Sequence, residues 1–323
     1  MATYTGIKGQ DIQVVSSDPS PLIPGQVWYN STSNTFKAAV QQAGAAAWTA
    51  GGAMITGRRN LMGAGTNTSA LASGGTGGQA NTESYNGSTW EDGGLLNNFR
   101  FLTAGAGASN TAALIFGGFS TANTGATESY NGSTWTAGGA MGNARYAHGG
   151  VGTNTSALGF GGYAPYLSIA CTESYNGSAW TAGGAMGTAR CALAGAGASK
   201  TAALAFGGFT TANVACTESY NGTSWTAGGA MATARQSLAG AGTNTAALAF
   251  GGATTASVAC TESYNGSTWT AGGALGLARC GLAGAGTNTA ALAFGGGTYP
   301  NGNCTESYSV GSPATCIKTL TIS

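Results

Sequence analysis

The stretch RCALAGAGASKTAALAFGGFTTANVACTESYNGTSW, residues 190–225, decides the fold. Its run from Cys191 to Gly197 is small and apolar, Ser199-Lys200 reads as a turn, and Ala202 to Phe206 is a second apolar run that stops at Gly207-Gly208. A variable loop follows, and then Cys216 to Tyr220 alternates in character. Asn221-Gly222 predicts a two-residue type I′ hairpin, because both central positions of that turn need φ > 0. Trp225 opens a fourth segment. No 3.6-residue apolar period is present, and the Gly and β-branched content opposes helix. The stretch therefore predicts four short strands joined by tight turns.

Working outward, the same pattern recurs along the chain. Thr-Glu-Ser-Tyr repeats with its acid at Glu83, Glu128, Glu173, Glu218, Glu262 and Glu306, in steps of 45, 45, 45, 44 and 44 residues. Tryptophan recurs at Trp48, Trp90, Trp135, Trp180, Trp225 and Trp269. A Gly-Gly pair closes an apolar run at Gly74, Gly117, Gly161, Gly207, Gly251 and Gly295. Arginine ends the segment before each repeat at Arg59, Arg100, Arg145, Arg190, Arg235 and Arg279. Four markers on one period mean an array of like units, each too thin to bury its own faces. Four-stranded units of this length are propeller blades, and six of them closing on themselves leave no uncovered end.

The order Arg, apolar strand, Gly-Gly, Glu-x-Tyr, Trp resembles the kelch repeat over roughly Trp48 to Tyr308. The resemblance implies an all-β, six-bladed kelch-like β-propeller with a small N-terminal β attachment region. It implies no single activity, because propellers host enzymes, lectins and scaffolds alike. The expected organisation is an attachment region at 1–45 with a β-hairpin, the propeller at 46–310, and a C-terminal strand at 311–323 packing near the N-terminal region. The sixth repeat lacks its own Trp segment after Tyr308, and Ala47-Trp48-Thr49-Ala50 is a Trp segment with no preceding Glu-Ser-Tyr. Trp48 is thus the candidate closing strand; a seven-bladed ring using the N-terminal region is the alternative.

Composition fits this frame. Only 7% of the 323 residues are charged and 58 are Gly, yet seven Trp, twelve Tyr and ten Phe exclude a disordered glycine coil. Six of the ten acids and six of the eleven bases stand at repeat positions. Partly buried charges must pair, so a ring of Arg–Glu pairs within or between blades is expected. The repeat Trp is expected to wedge between blades.

A net charge of +1 with no basic run speaks against nucleic acid. No stretch reaches the roughly 18 apolar residues of a membrane helix, and Met1 to Gln10 lacks the core of a secretory leader. Asp18-Pro19-Ser20-Pro21-Leu22-Ile23-Pro24 reads as an extended linker. Gly25 to Lys37 reads as a hairpin with a polar turn, and Cys316 to Ile322 as a strand that pairs with it. The Pro-x-x-Pro-Gly-Gln-Val-Trp-Tyr-Asn-Ser-Thr stretch resembles tail and appendage proteins of double-stranded-DNA bacteriophages, particularly marine ones. That resemblance implies a virion location, contact with other virion proteins through the N-terminal region, and a host cell-surface glycan or protein as receptor; the oligomeric state is left open. A cellular kelch-type scaffold or lectin-like protein is the alternative.

No catalytic residue, metal or cofactor is assigned. The single histidine, His148, reads as a packing or hydrogen-bonding group and cannot by itself form a His-rich metal centre. The repeat glutamates are equivalent, so no acid–base pair stands out. Seven cysteines are odd in number. They read as small buried thiols; pairing Cys171 with Cys191 and Cys260 with Cys280 would leave Cys216 alone. The Asn-Gly-Ser/Thr sequons read as hairpin turns. Binding is expected in the variable loops after Gly-Gly, at Phe119, Tyr163, Tyr166, Phe209 and Tyr299. For Phe119, Tyr163 and Phe209, packing between blades is the competing reading.

Overall fold

The structure is a computed structural model and describes residues 12–42, 44–76, 80–297 and 301–320. Its contacts divide the chain into two units, residues 46–309 and residues 1–45 with 310–323.

Within residues 46–309 the described residues form six four-stranded antiparallel sheets. The fourth blade shows the pattern: Ala194–Ser199 is the innermost strand, followed by Ala202–Phe206, Thr217–Tyr220 and Trp225–Ala227. Each innermost strand lies against that of the next blade, and the sixth, Ala283–Gly286, returns to the first, Met62–Gly65. The ring is closed with six blades. The sixth sheet takes its outer strand, Ala46–Ala50, from the start of the unit. Gly51 N donates to Thr305 O at 2.8 Å and Met54 N to Asn303 O at 2.8 Å, extending that closure.

Three sets of hydrogen bonds tie each blade to its neighbour, and every set includes the step from sixth to first. The Trp indole donates to the Thr of the preceding blade's Thr-Glu-Ser-Tyr strand: Trp225 Nε1 to Thr172 Oγ1 at 2.9 Å, Trp90 Nε1 to Thr305 Oγ1 at 2.9 Å. The second Gly of each pair donates to the next blade's Arg carbonyl, as Gly208 N does to Arg235 O at 3.0 Å and Gly296 N to Arg58 O at 2.9 Å. Here glycine is required: Gly207 and Gly208 have φ of 63° and 110°, and a Cβ on Gly207 would stand 2.8 Å from Arg235 O. The third set runs head to tail around the axis. Asn60 N donates to Gly281 O, Leu102 N to Asn60 O, Ala147 N to Leu102 O, Ala192 N to Ala147 O, Ser237 N to Ala192 O and Gly281 N to Ser237 O, all at 2.7–2.8 Å. All six residues are left-handed, five of them not glycine, with φ of 51–56°. Left-handed backbone costs such residues roughly 1–2 kcal/mol each, and the closed hydrogen-bonded ring is what holds them there.

The repeat charges pair inside each blade, and more deeply than the partly buried pairs expected. Their side chains are 0–8% exposed. Glu218 accepts from Arg190 and also from the backbone N–H groups of Gly187 and Thr188, so the carboxylate pins the segment arriving from the preceding blade. The first pair is Arg58–Glu83, at 3.0 Å, not Arg59. The register is set by Leu61, three residues after Arg58 as Leu193 is after Arg190; Arg59 stands where the other five blades hold Phe101, Tyr146, Cys191, Gln236 and Cys280.

Other expectations are corrected. The Asn-Gly turns are not type I′. Tyr220 pairs directly with Trp225, leaving four residues in the loop, and only Gly222 has positive φ. Asn221 Oδ1 instead accepts the N–H groups of Thr223 and Ser224, so the side chain does what a second left-handed residue would have done. Trp90 and Trp135 are buried, whereas Trp48, Trp180, Trp225 and Trp269 stay half-buried. All seven cysteines are free and half-buried, not enclosed in the core.

In the other unit Gln13–Val15 pairs parallel with Val27–Asn30, which pairs antiparallel with Thr35–Gln42, which pairs with Ala314–Leu320. The proline-rich segment is not a free linker but the crossover that a parallel pair needs. Asp18 within it accepts from Trp28 Nε1 at 3.0 Å, Asn30 Nδ2 at 2.8 Å and Lys37 Nζ at 2.9 Å.

Candidate functional site

A uniform scaffold makes departures from the repeat informative. Two backbone positions in each blade lie side by side on one face of the ring: the residue after the repeat Arg and the residue after Gly-Gly. They exchange hydrogen bonds. Phe101 N donates to Phe119 O at 3.0 Å and Phe119 N to Phe101 O at 2.9 Å; Tyr146 and Tyr163, Cys191 and Phe209, and Gln236 and Ala253 do the same. In the first blade Thr76 N donates to Arg59 O, and in the sixth Gly297 N to Cys280 O.

The side chains at these positions differ by blade. In the second and third blades they form a continuous aromatic row, with centroids 5.6 Å apart for Phe101–Phe119, 5.6 Å for Phe119–Tyr146 and 5.4 Å for Tyr146–Tyr163. These are tilted and edge-on contacts of the kind aromatic pairs prefer. All four rings are half-buried. They pack on one another and still present surface, so neither simple packing between blades nor full exposure describes them. Burial pushes the Tyr146 phenol up, with Tyr163 and Cys191 adding to the effect. Beyond Tyr163 the third blade carries a hairpin of Tyr163–Ala164 and Leu167–Ser168, and Tyr166 at its tip is 93% exposed.

Of the expected binding residues, Phe119 and Tyr163 are thus brought into one row through Tyr146, Phe209 pairs with Cys191 in the fourth blade, and Tyr166 projects at the hairpin tip. Tyr299 lies outside the described residues. Phe101 and Tyr146 were missed. Their signal was present: an aromatic directly after the repeat Arg, at a position that varies from blade to blade.

Behind this row lies the axis. A cavity of about 90 Å³ is bounded by the left-handed ring and by Leu61, Thr103, His148, Leu193, Leu238 and Leu282. Four blades place Leu there; the second and third place Thr103 and His148. His148 is buried against Phe116, with ring centroids 5.5 Å apart, and neither ring nitrogen has a hydrogen-bond partner. Burial, with Arg145 nearby, holds its pKa well below the usual histidine range, so it is a neutral group at pH 7. Among the described residues no three His, Cys, Asp or Glu side chains gather as a metal centre would need.

The closed ring of four-stranded blades, with Arg–Glu pairs inside them and Trp between them, defines a six-bladed β-propeller. The solved structure titled "Structure of YjhT", a kelch-repeat propeller protein, matches with a TM-score of 0.66 at 12% identity, over 82% of this chain and 99% of that one. The likeness carries the fold. No family model and no curated protein sequence matches the chain.

Proposed function

We propose that this chain is a non-enzymatic binding protein whose propeller recognises a surface through the aromatic row of the second and third blades. The observation that carries the reading is the confinement of Phe101, Phe119, Tyr146 and Tyr163 to adjacent blades of an otherwise repetitive ring. Half-buried rings held by backbone ladders lose little freedom on binding, which suits them as contact anchors. A non-catalytic role is supported by the repeat glutamates, each occupied by its Arg. We further propose that the protein is a bacteriophage virion appendage or decoration protein, joined to the particle through the sheet built from residues 13–42 and 314–320, with a host cell-surface glycan or protein as partner. This rests on the resemblance of the Pro-Gly-Gln-Val-Trp-Tyr-Asn segment and on that sheet being a separate unit.

Two measurements test the reading. Fluorescently labelled protein is titrated onto bacterial cells, and Tyr146→Ala with Tyr163→Ala should weaken binding at least tenfold while circular dichroism is unchanged. Equal binding by the variant would remove the row as the contact surface. Separately, antibody labelling should decorate phage particles made by a host carrying the gene; unlabelled particles, with the protein found in the host cell instead, would favour a cellular kelch-type scaffold.

A further inference from the structure

The aromatic row is one arc of a closed circuit. The residue after each repeat arginine and the residue after each Gly-Gly follow one another around the ring, because Leu102 N donates to Asn60 O, Ala147 N to Leu102 O, and so on through the sixth blade. Across all six blades these two positions hold a single charged residue, Arg59 in the first blade. Thr76 stands between Arg59 and Phe101 as Phe119 stands between Phe101 and Tyr146, so the cation adjoins the second-blade end of the row.

Polarity divides this face in the same sense. The residues of the left-handed ring are Leu102, Ala147 and Ala192 in the second to fourth blades, but Ser237, Gly281 and Asn60 in the fifth, sixth and first. The aromatic arc therefore borders the apolar half of the ring, and Arg59 stands where the polar half meets it.

Arg59 is unlike the six repeat arginines. Those are buried and each is paired with a glutamate. Arg59 is exposed, and among the described residues it has no carboxylate partner and its guanidinium donates no hydrogen bond. Its backbone is nevertheless held, because Arg59 O accepts from Thr76 N at 2.9 Å and from Thr76 Oγ1 at 3.2 Å. The other unpaired base of the propeller, Lys200, lies in the turn at the opposite end of its strands. The row itself has little backbone to offer: Phe101 with Phe119, and Tyr146 with Tyr163, spend their N–H groups on each other's carbonyls. An extended peptide draws affinity from main-chain pairing, which this arc cannot supply. It presents aromatic rings, two phenol hydroxyls and, at one end, a free cation.

We infer that the ligand of the row is an acidic glycan, its sugar rings lying along Phe101 to Tyr163 and its carboxylate, sulfate or phosphate group held by Arg59. The planar guanidinium fork matches such oxyanions in geometry as well as charge. This rests on the recognition role proposed above and names its ligand class.

The test immobilises the full chain and measures binding of alginate, a polyuronate, and dextran sulfate, against neutral dextran and poly-glutamate. At least one acidic glycan should bind, dextran should bind at least tenfold more weakly, and poly-glutamate should not displace the glycan. Arg59→Gln should lower acidic-glycan affinity at least tenfold and flatten its decline with salt, the decline that a screened charge contact produces. Arg59→Lys should recover part of the loss, and Lys200→Gln should change nothing. Circular dichroism confirms that each variant is folded. Equal binding of dextran, full binding by Arg59→Gln, or displacement by poly-glutamate would each overturn the proposal. If Tyr146→Ala with Tyr163→Ala abolishes cell binding while Arg59→Gln leaves it unchanged, the row stands and the acidic ligand falls. If acidic glycans depend on Arg59 while the tyrosine variant binds cells as the parent does, the anion site stands and the row falls.

Discussion

Exchanging Met62 and Ser73 for the residues used elsewhere in the ring tests how blades are packed. In five blades the innermost strand carries Ala or Gly opposite a Phe on the second strand, as Ala194 faces Phe206 and Ala239 faces Phe250. The first blade instead pairs Met62 with Ser73. The tip of each Phe reaches the next blade: Cβ atoms built on Gly195, Gly240 and Gly284 would lie 2.8, 2.6 and 2.7 Å from Phe160, Phe206 and Phe250 Cζ. At Gly105 the neighbour in that place is Met62 Cγ, at 2.4 Å. Met62 therefore fills from one strand the volume that Phe fills from the other, and both Met62 and Ser73 are essentially inaccessible. Met62→Ala alone leaves a hole and should cost about 2–5 kcal/mol. Ser73→Phe alone forces a ring into occupied space, about 1–3 kcal/mol, and also removes the Ser73–Thr82 hydroxyl contact of 3.0 Å, about 1 kcal/mol more. The double variant restores the pairing of the other blades and should stay within about 1.5 kcal/mol of the parent. The coupling energy is then at least about 2 kcal/mol in favour of the pair. Urea unfolding followed by the fluorescence of the interface tryptophans measures all four corners, with constant m as the check on comparability. Costs that simply add in the double variant would refute the volume-exchange reasoning.

Two further outcomes are expected. His148→Leu restores the residue of four other blades and removes two unpartnered nitrogens, so it should stabilise the propeller by about 1–3 kcal/mol. Because the folded state keeps His148 neutral, the parent loses stability as pH falls below the unfolded histidine value near 6.5; the variant should lose less between pH 6.5 and 4, and thermal unfolding across that range decides it. In the other unit, hydrogen bonds from Lys37, then Asn30 and Trp28, lower the Asp18 pKa to about 2. Its contribution is complete above the unfolded value near 3.9 and is lost as pH falls toward 2, so the Trp28 indole N–H resonance should keep its position to about pH 3 and shift below it; a shift centred near pH 4 would show that these contacts do not hold the carboxylate.

Much of the ring was legible in the chain by itself. Period, blade composition, closure by Trp48, the Arg–Glu pairs and the interblade Trp all follow from residues that recur in one geometric setting, where each copy corroborates the others. The tertiary structure alone decided register, turn length and the contacts between unlike side chains. Arg58 replaces Arg59 because register is counted from a buried Leu, not from the charge. The Asn-Gly turn has four residues because the Tyr–Trp pairing sets its length. The aromatic row exists because residues after an Arg and after a Gly-Gly, 17 or 18 positions apart, are joined by backbone hydrogen bonds and then meet their counterparts in the next blade. Met62 and Ser73 look like two unrelated substitutions until their volumes are seen to share one space. A repeat advertises its own packing, whereas contacts between unlike side chains from different blades depend on distances that only the closed ring sets.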